Sequence, residues 1–397
     1  MTSTRITALS TSERDRRWAT VRAEMAVRGL DALVVRGLSS KWDGGTANIR
    51  YLTQIGGNGE DAMAVFPTKG EPIVLIWAPS QLKWWAQAQD WVGEFRVGNP
   101  SWADAAVGCL RDLGAASGRI GVVGIGGRGE AGKCMSHDIY AGIREGLPEA
   151  HFEPASDIVE DMRLVKSAEE IGFMEKSGAL CDIAVAAMLD AAVRPGVKSH
   201  EVYAEILYAC YKAGGEAPMF LMYEADPAAY HALRFPTERT LEPGYVLLQE
   251  ILPKYAGYFS QIMVPVSIGD PDAEYRRLGE AAAAAYTLGV AAIRPGITTT
   301  RLAEIMNEPL VEAGMIWTRP QWHGTGLENV EPPTDMNFPG RTGPGANWTL
   351  EPGMILGMQP MAALADRSKG VQVGDTVVVT DDGARRLSTT EMRLYAV

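Results

Sequence analysis

Apolar positions along this chain recur at helical and strand periods in alternating blocks. Ser12 to about Arg28 has helical spacing, with Ser12 as the predicted N-cap and Gly29 as the stop. Asp31-Ala-Leu-Val-Val35 then reads as a buried strand. Ala62-Met-Ala-Val-Phe66 and Ile73-Val-Leu-Ile-Trp77 flank Thr68-Lys-Gly-Glu-Pro72, which is hairpin chemistry. A helix over 101–114 and a strand at Arg119-Ile-Gly-Val-Val123 follow. Strands mixed with helices at this spacing predict an α/β layer that closes around Pro154-Ala-Ser-Asp157.

The second half has longer helices. One starts near Ser167, with Glu169 and Glu170 in its first turn where negative charge favours the helix dipole, and stops at Pro195-Gly196. Further helices are predicted over 199–214, 273–293 and 299–313, and strands over 246–252, 257–267, 353–362 and 371–380. An internal repeat runs through these elements. Arg194-Pro-Gly196 and Arg294-Pro-Gly296 each end a long helix, and Leu241-Glu-Pro-Gly244 and Leu350-Glu-Pro-Gly353 each precede a strand. Two such halves predict a curved sheet with helices outside and a concave pocket.

Composition narrows the class. The 397 residues exceed one ordinary core, so two domains are expected. No run approaches the roughly 18 uninterrupted apolar residues of a membrane span, and Met1-Thr-Ser-Thr-Arg-Ile lacks a secretory apolar core. Cys109, Cys134, Cys181 and Cys210 have no CxxC spacing and read as buried free thiols of a reducing, cytoplasmic compartment. A net charge of −12 spread along the chain argues against nucleic-acid or anionic-membrane partners. Gly127-Arg-Gly-Glu-Ala-Gly-Lys-Cys134 imitates a phosphate loop, but Cys134 replaces the hydroxyl that magnesium needs, so a surface loop is expected.

Six landmarks carry a family resemblance: Arg163-Leu-Val-Lys-Ser-Ala-Glu-Glu-Ile171, Tyr255-Ala-Gly-Tyr258, His323-Gly-Thr-Gly326, Glu331-Pro-Pro333, Leu350-Glu-Pro-Gly-Met354 and Gly370 to Thr380. Together they resemble the pita-bread family of creatinase, prolidase, aminopeptidase P and methionine aminopeptidase. The resemblance implies an α+β chain: a smaller creatinase-type α/β N-terminal domain over 1–158, and a pita-bread domain with a curved antiparallel sheet over 159–397. It also implies a homodimer. In the family's peptidases two Asp, one His and two Glu hold a pair of divalent ions. The matching positions here read Glu250, Gln261, His323, Gln359 and Gly374, and only the histidine is unchanged.

That set carries too little negative charge for two hard cations. No metal or other cofactor is therefore expected, although a single ion on His323, Glu250 and Glu331 stays open. His231, in Tyr230-His-Ala-Leu-Arg-Phe-Pro-Thr237, is the expected proton-transfer group, because an imidazole titrates near neutrality. His323 and Glu250 join it as catalytic candidates. Gln261, Gln359, Met263, Glu328, Glu331, Tyr223 and Trp322 are the substrate-binding candidates, with Arg50 and Arg234 available to a carboxylate. Creatinase and ectoine hydrolase are the relatives that suggest the reaction. It is a metal-independent hydrolysis of a non-peptide C–N bond in a small amino-acid-like molecule. A lyase or isomerase with His231 as base, a non-catalytic binding module and an ordinary metallopeptidase remain alternatives.

Overall fold

A computed structural model of the chain describes residues 5–232, 234–334 and 347–397, and these form two compact units, Met1–Leu164 and Val165–Val397. In the first, β1 (Ala32–Gly37), β2 (Ala62–Pro67), β3 (Ile73–Ile76), β4 (Glu94–Val97), β5 (Arg119–Val123) and β6 (His151–Pro154) form one sheet in the order β4-β3-β2-β1-β5-β6. The β1–β2 and β2–β3 pairs are antiparallel, and β1–β5 and β5–β6 are parallel. Val34, Val65, Leu75 and Ile120 of this sheet pack with Val107 and Leu110 of the helix Trp102–Asp112 in one buried cluster. The first helix is Thr11–Arg28, and its N-cap is Ser10 rather than Ser12. Ser10 Oγ accepts from the Glu13 backbone N–H at 3.1 Å, while Gly29 closes the far end at φ +65°.

The phosphate-loop imitation is filled from within. Glu160, 1% exposed, turns its carboxylate into the loop and accepts from the backbone N–H of Arg128 at 2.9 Å and of Gly129 at 3.3 Å. A side-chain anion therefore occupies the place that a phosphate would take. Ser156–Met162 is itself a helix of this unit.

The second unit obeys its repeat in detail. Ser167 caps the helix Ala168–Ala192 in a capping box with Glu170, and Asp272 caps Ala273–Ala292. After each Pro-Gly stop the chain makes the same pair of bonds. Leu241 N donates to Val197 O and Leu350 N to Ile297 O, both at 2.9 Å. Ser199 N donates to Arg239 O at 2.9 Å and Thr299 N to Trp348 O at 2.8 Å. The shorter helices Ser199–Lys212 and Thr299–Glu312 follow.

Strand Val246–Leu252 (β8) pairs antiparallel with Phe220–Asp226 (β7), which the sequence pattern did not predict. The sheet continues from β8 through Ile262–Met263, Gly374–Val379, Ile355–Met358 and Trp322–Gly324 to Glu331–Thr334. The expected strand over 257–267 is divided into Tyr258–Phe259, Ile262–Met263 and Val266–Ser267. The one over 353–362 divides at Gln359-Pro360, since proline cannot donate to a ladder. All four cysteines are buried and free, and among the described residues no helix is long and apolar enough to cross a membrane.

Candidate active site

Strand register decides which side chains share the cleft. Glu250 pairs with Met222, Ile262 with Ile251 and Asp375, Met263 with Gly374, and His323 with Gly357. Alternation along each strand then puts Glu250, Gln261, Met263, Gly374, Gln359 and His323 on one face. The same rule removes two expected site residues. Tyr223 pairs with Gln249 and Trp322 with Met358, so both lie on the opposite face. Tyr223 stacks edge-on against Tyr203 of the helix Ser199–Lys212, with ring centroids 5.7 Å apart. Their aromatic surface belongs to the core, not to a ligand.

The centre of the face belongs to a residue the sequence reading did not single out. Arg319 is 9% exposed, and its Nη1 donates to Glu250 Oε2 at 2.7 Å and to Gln372 Oε1 at 3.1 Å. Its Nε donates to His231 Nε2. His231 is further fixed by its backbone N–H, which donates to Glu224 Oε2 at 2.9 Å. Burial, together with the neighbouring guanidinium, lowers the imidazole pKa to about 3. Such a ring is neutral at pH 7, and its lone pair is already occupied. It suits holding Arg319 in place rather than the proton shuttle expected of it. A long-range partner such as Arg319 leaves no local signal in sequence.

His323 is also neutral, because burial lowers its pKa; its Nδ1–H donates to the Gly324 carbonyl at 2.9 Å. Glu331 is bound elsewhere. Its Oε1 lies 2.5 Å from Lys166 Nζ with both side chains 1% exposed, and its Oε2 accepts from the Glu328 backbone N–H at 3.3 Å. Glu331 and Glu328 thus brace their own loop. Arg50 lies in the first unit, and Arg234 pairs with Glu224 at 3.1 Å. A cleft of about 420 Å³ opens over this assembly, lined by Glu224, Tyr230, His231, Arg234, Thr318 and Arg367.

The residues present do not fit a pair of divalent ions. Glu250 is neutralised by Arg319, Gln261 and Gln359 are uncharged, and a Cβ added at Gly374 would collide with the Met358 carbonyl oxygen. Nor do they fit one ion, because Glu331 is committed to Lys166. Among the described residues no group of three or more His, Cys, Asp or Glu side chains converges on a common point.

Comparison with known proteins gives a consistent family, with relatives named for a different substrate. Residues 172–381 match Metallopeptidase family M24, and residues 17–165 match the Creatinase/Prolidase N-terminal domain. An Xaa-Pro dipeptidase of Pyrococcus furiosus is 28% identical over 266 residues, 66% of this chain and 73% of that protein. An Xaa-Pro dipeptidase of Lactobacillus helveticus is 27% identical over 263 residues, 65% of this chain and 69% of that protein. The solved Xaa-Pro dipeptidase from Bacillus anthracis shares the fold, with a TM-score of 0.79 at 20% identity over 97% of this chain and 100% of that one. These relatives overturn the expected non-peptide C–N hydrolase and its lyase or isomerase variant, since proteins named as dipeptidases cleave peptide bonds. They also remove the grouping with metal-independent, creatinase-like members.

Arg319→Ala leaves Glu250 buried without its cation and is expected to cost about 3–5 kcal/mol in urea unfolding. Combining it with Glu250→Gln should recover much of that loss; an Arg319→Ala protein as stable as wild type would remove the ion pair from the site's architecture. For His231 the folded pKa lies below the ordinary value of 6.5. The unfolded chain therefore binds the extra proton, and stability falls as pH drops from 6.5 toward 3. Between pH 7 and pH 5, His231→Gln should lose less stability than wild type. With the ring partly solvated, the difference is on the order of 1 kcal/mol. Equal losses would show that the ring is not held neutral.

Proposed function

Because the chain belongs to metallopeptidase family M24, we propose that its substrate is a small dipeptide of the Xaa-Pro type and that the peptide bond is the bond acted on. The observation that carries this reading is the arginine-lined cleft. Arg234 and Arg367 stand at its mouth, and His231 on its wall is the residue that Arg319 holds. A cleft of about 420 Å³ is in the range of small-ligand sites. Guanidinium groups at the rim suit a molecule that ends in a carboxylate, which they grip by two parallel N–H bonds.

Inside, Arg319 supplies directed N–H groups to a carbonyl oxygen that gains charge as water adds to the carbonyl carbon. His231 and Glu250 keep the guanidinium plane from rotating, and Gln372 adds a further anchor. Hydrolysis adds water across the C–N bond and releases free proline and the other amino acid. Glu224 and Tyr230 shape the wall beside the bound residue. The proposal extends to assembly: the family resemblance supports a pair of identical chains.

Purified chain incubated with glycyl-proline, alanyl-proline, prolyl-glycine and glycyl-glycine, with and without added manganese, would be followed for free amino acids by mass spectrometry. Proline is expected from the two Xaa-Pro dipeptides alone, and Arg367→Ala should raise KM about tenfold with little change in kcat. No release from any dipeptide, and no saturable binding in calorimetry, would sink the reading. Sedimentation equilibrium is expected to return twice the chain mass; a single-chain mass at every concentration would rule the pairing out.

A further inference from the structure

Two buried oxygens on the cleft face accept from no donor among the described residues. Gln261 and Gln359 are 0% and 5% exposed, and among the described residues the carboxamide oxygen of each has no hydrogen-bond partner. Their orientation is not arbitrary. Gln261 Nε2 donates to the Met358 carbonyl at 3.4 Å and Gln359 Nε2 to the Pro320 carbonyl at 3.1 Å. Turning either amide over would set an oxygen against a carbonyl oxygen, so the free atoms are the acceptors. Gly357 leaves room for this arrangement, because a Cβ there would come within 2.5 Å of the Gln261 carboxamide. The bond to Met358 brings that carboxamide next to the residue preceding Gln359.

His323 adds to the set. It lies beside Gln359. With Nδ1–H given to Gly324, its Nε2 carries a lone pair and has no hydrogen to offer Gln359. The two carboxamide oxygens are therefore acceptors that no donor among the described residues meets. A buried acceptor left unmatched is destabilising, and two on one face stay so unless a ligand supplies hydrogens. Glu250 is already neutralised at 2.7 Å by Arg319, so the cluster has little net negative charge for a doubly charged ion.

We propose that Gln261 and Gln359, with His323 beside them, form the receptor for the substrate's amino nitrogen, whose N–H groups the two carboxamide oxygens accept. This deepens the dipeptide reading and rests on it for the identity of the nitrogen. The amino end enters toward Gln261 and Gln359, and the carboxylate end stays with the arginines at the mouth. Specificity follows from the hydrogen count: a free amino group offers up to three hydrogens, and an acylated one offers a single hydrogen.

Calorimetry with glycyl-proline and acetylglycyl-proline tests the subsite, and saturation-transfer NMR with ethylammonium chloride tests it without any dipeptide. Acetylation is expected to weaken binding at least tenfold in wild type and by less than threefold in Gln261→Leu/Gln359→Leu, in line with the loss of one to two buried hydrogen bonds. Ethylammonium should give saturation transfer that the double variant lacks and that Gln359→Glu, which keeps an acceptor, strengthens. If the leucine variant fails to fold by circular dichroism, Gln359→Glu alone decides: unchanged ethylammonium binding overturns the proposal. Ethylammonium binding without glycyl-proline binding would sink the dipeptide reading and leave the amino receptor standing. Equal affinity for the free and acetylated dipeptides overturns the receptor alone. So does stoichiometric manganese binding that the leucine variant loses. Failure of both probes overturns both.

Discussion

A guanidinium buried against a carboxylate governs this cleft. Arg319 and Glu250 lie 2.7 Å apart with little solvent access, so neither charge can lose the other without a large desolvation penalty. From that pairing come the anchoring of Gln372 and the absence of spare negative charge on the cleft face, while burial, with the guanidinium alongside, keeps His231 neutral. A cleft organised around an internal cation presents directed N–H groups and little free negative charge.

The alternation of side chains across the sheet distributes every other role. Positions two apart on β8, Ile262–Met263, Gly374–Val379 and Ile355–Met358 face the cleft, and their neighbours face the helices. This is why Gln261 and Met263 face the cleft and Ile262 faces the core. It is also why Tyr223 and Trp322, chosen for their chemistry, stand behind the sheet. Glycines matter at two places on the face. Gly374 lies where the Met358 carbonyl leaves no space for a side chain, and Gly357 clears the path of the Gln261 carboxamide.

Loss of metal-binding side chains and choice of substrate are separate properties. Reading Gln261, Gln359 and Gly374 as departures from a two-ion set led to the expectation of a non-peptide bond. The relatives named as Xaa-Pro dipeptidases point to peptides instead. The step failed because ligands govern how a bond is activated, whereas the groups around the cleft govern which molecule enters.

The order of elements was legible in the chain itself. Periodicity, Pro-Gly stops and caps located the long helices and most central strands to within a few residues, and the repeated Leu-Glu-Pro-Gly segments recorded the two matching halves. Local steric and hydrogen-bonding rules act between near neighbours, so they leave a trace in sequence. The division of the strand over 257–267, the pairing of Arg319 with Glu250 and His231, the capture of Glu331 by Lys166 and the unmet oxygens of Gln261 and Gln359 left none. Each depends on groups tens or hundreds of positions apart meeting at low dielectric, and only the folded chain decides which of them meet.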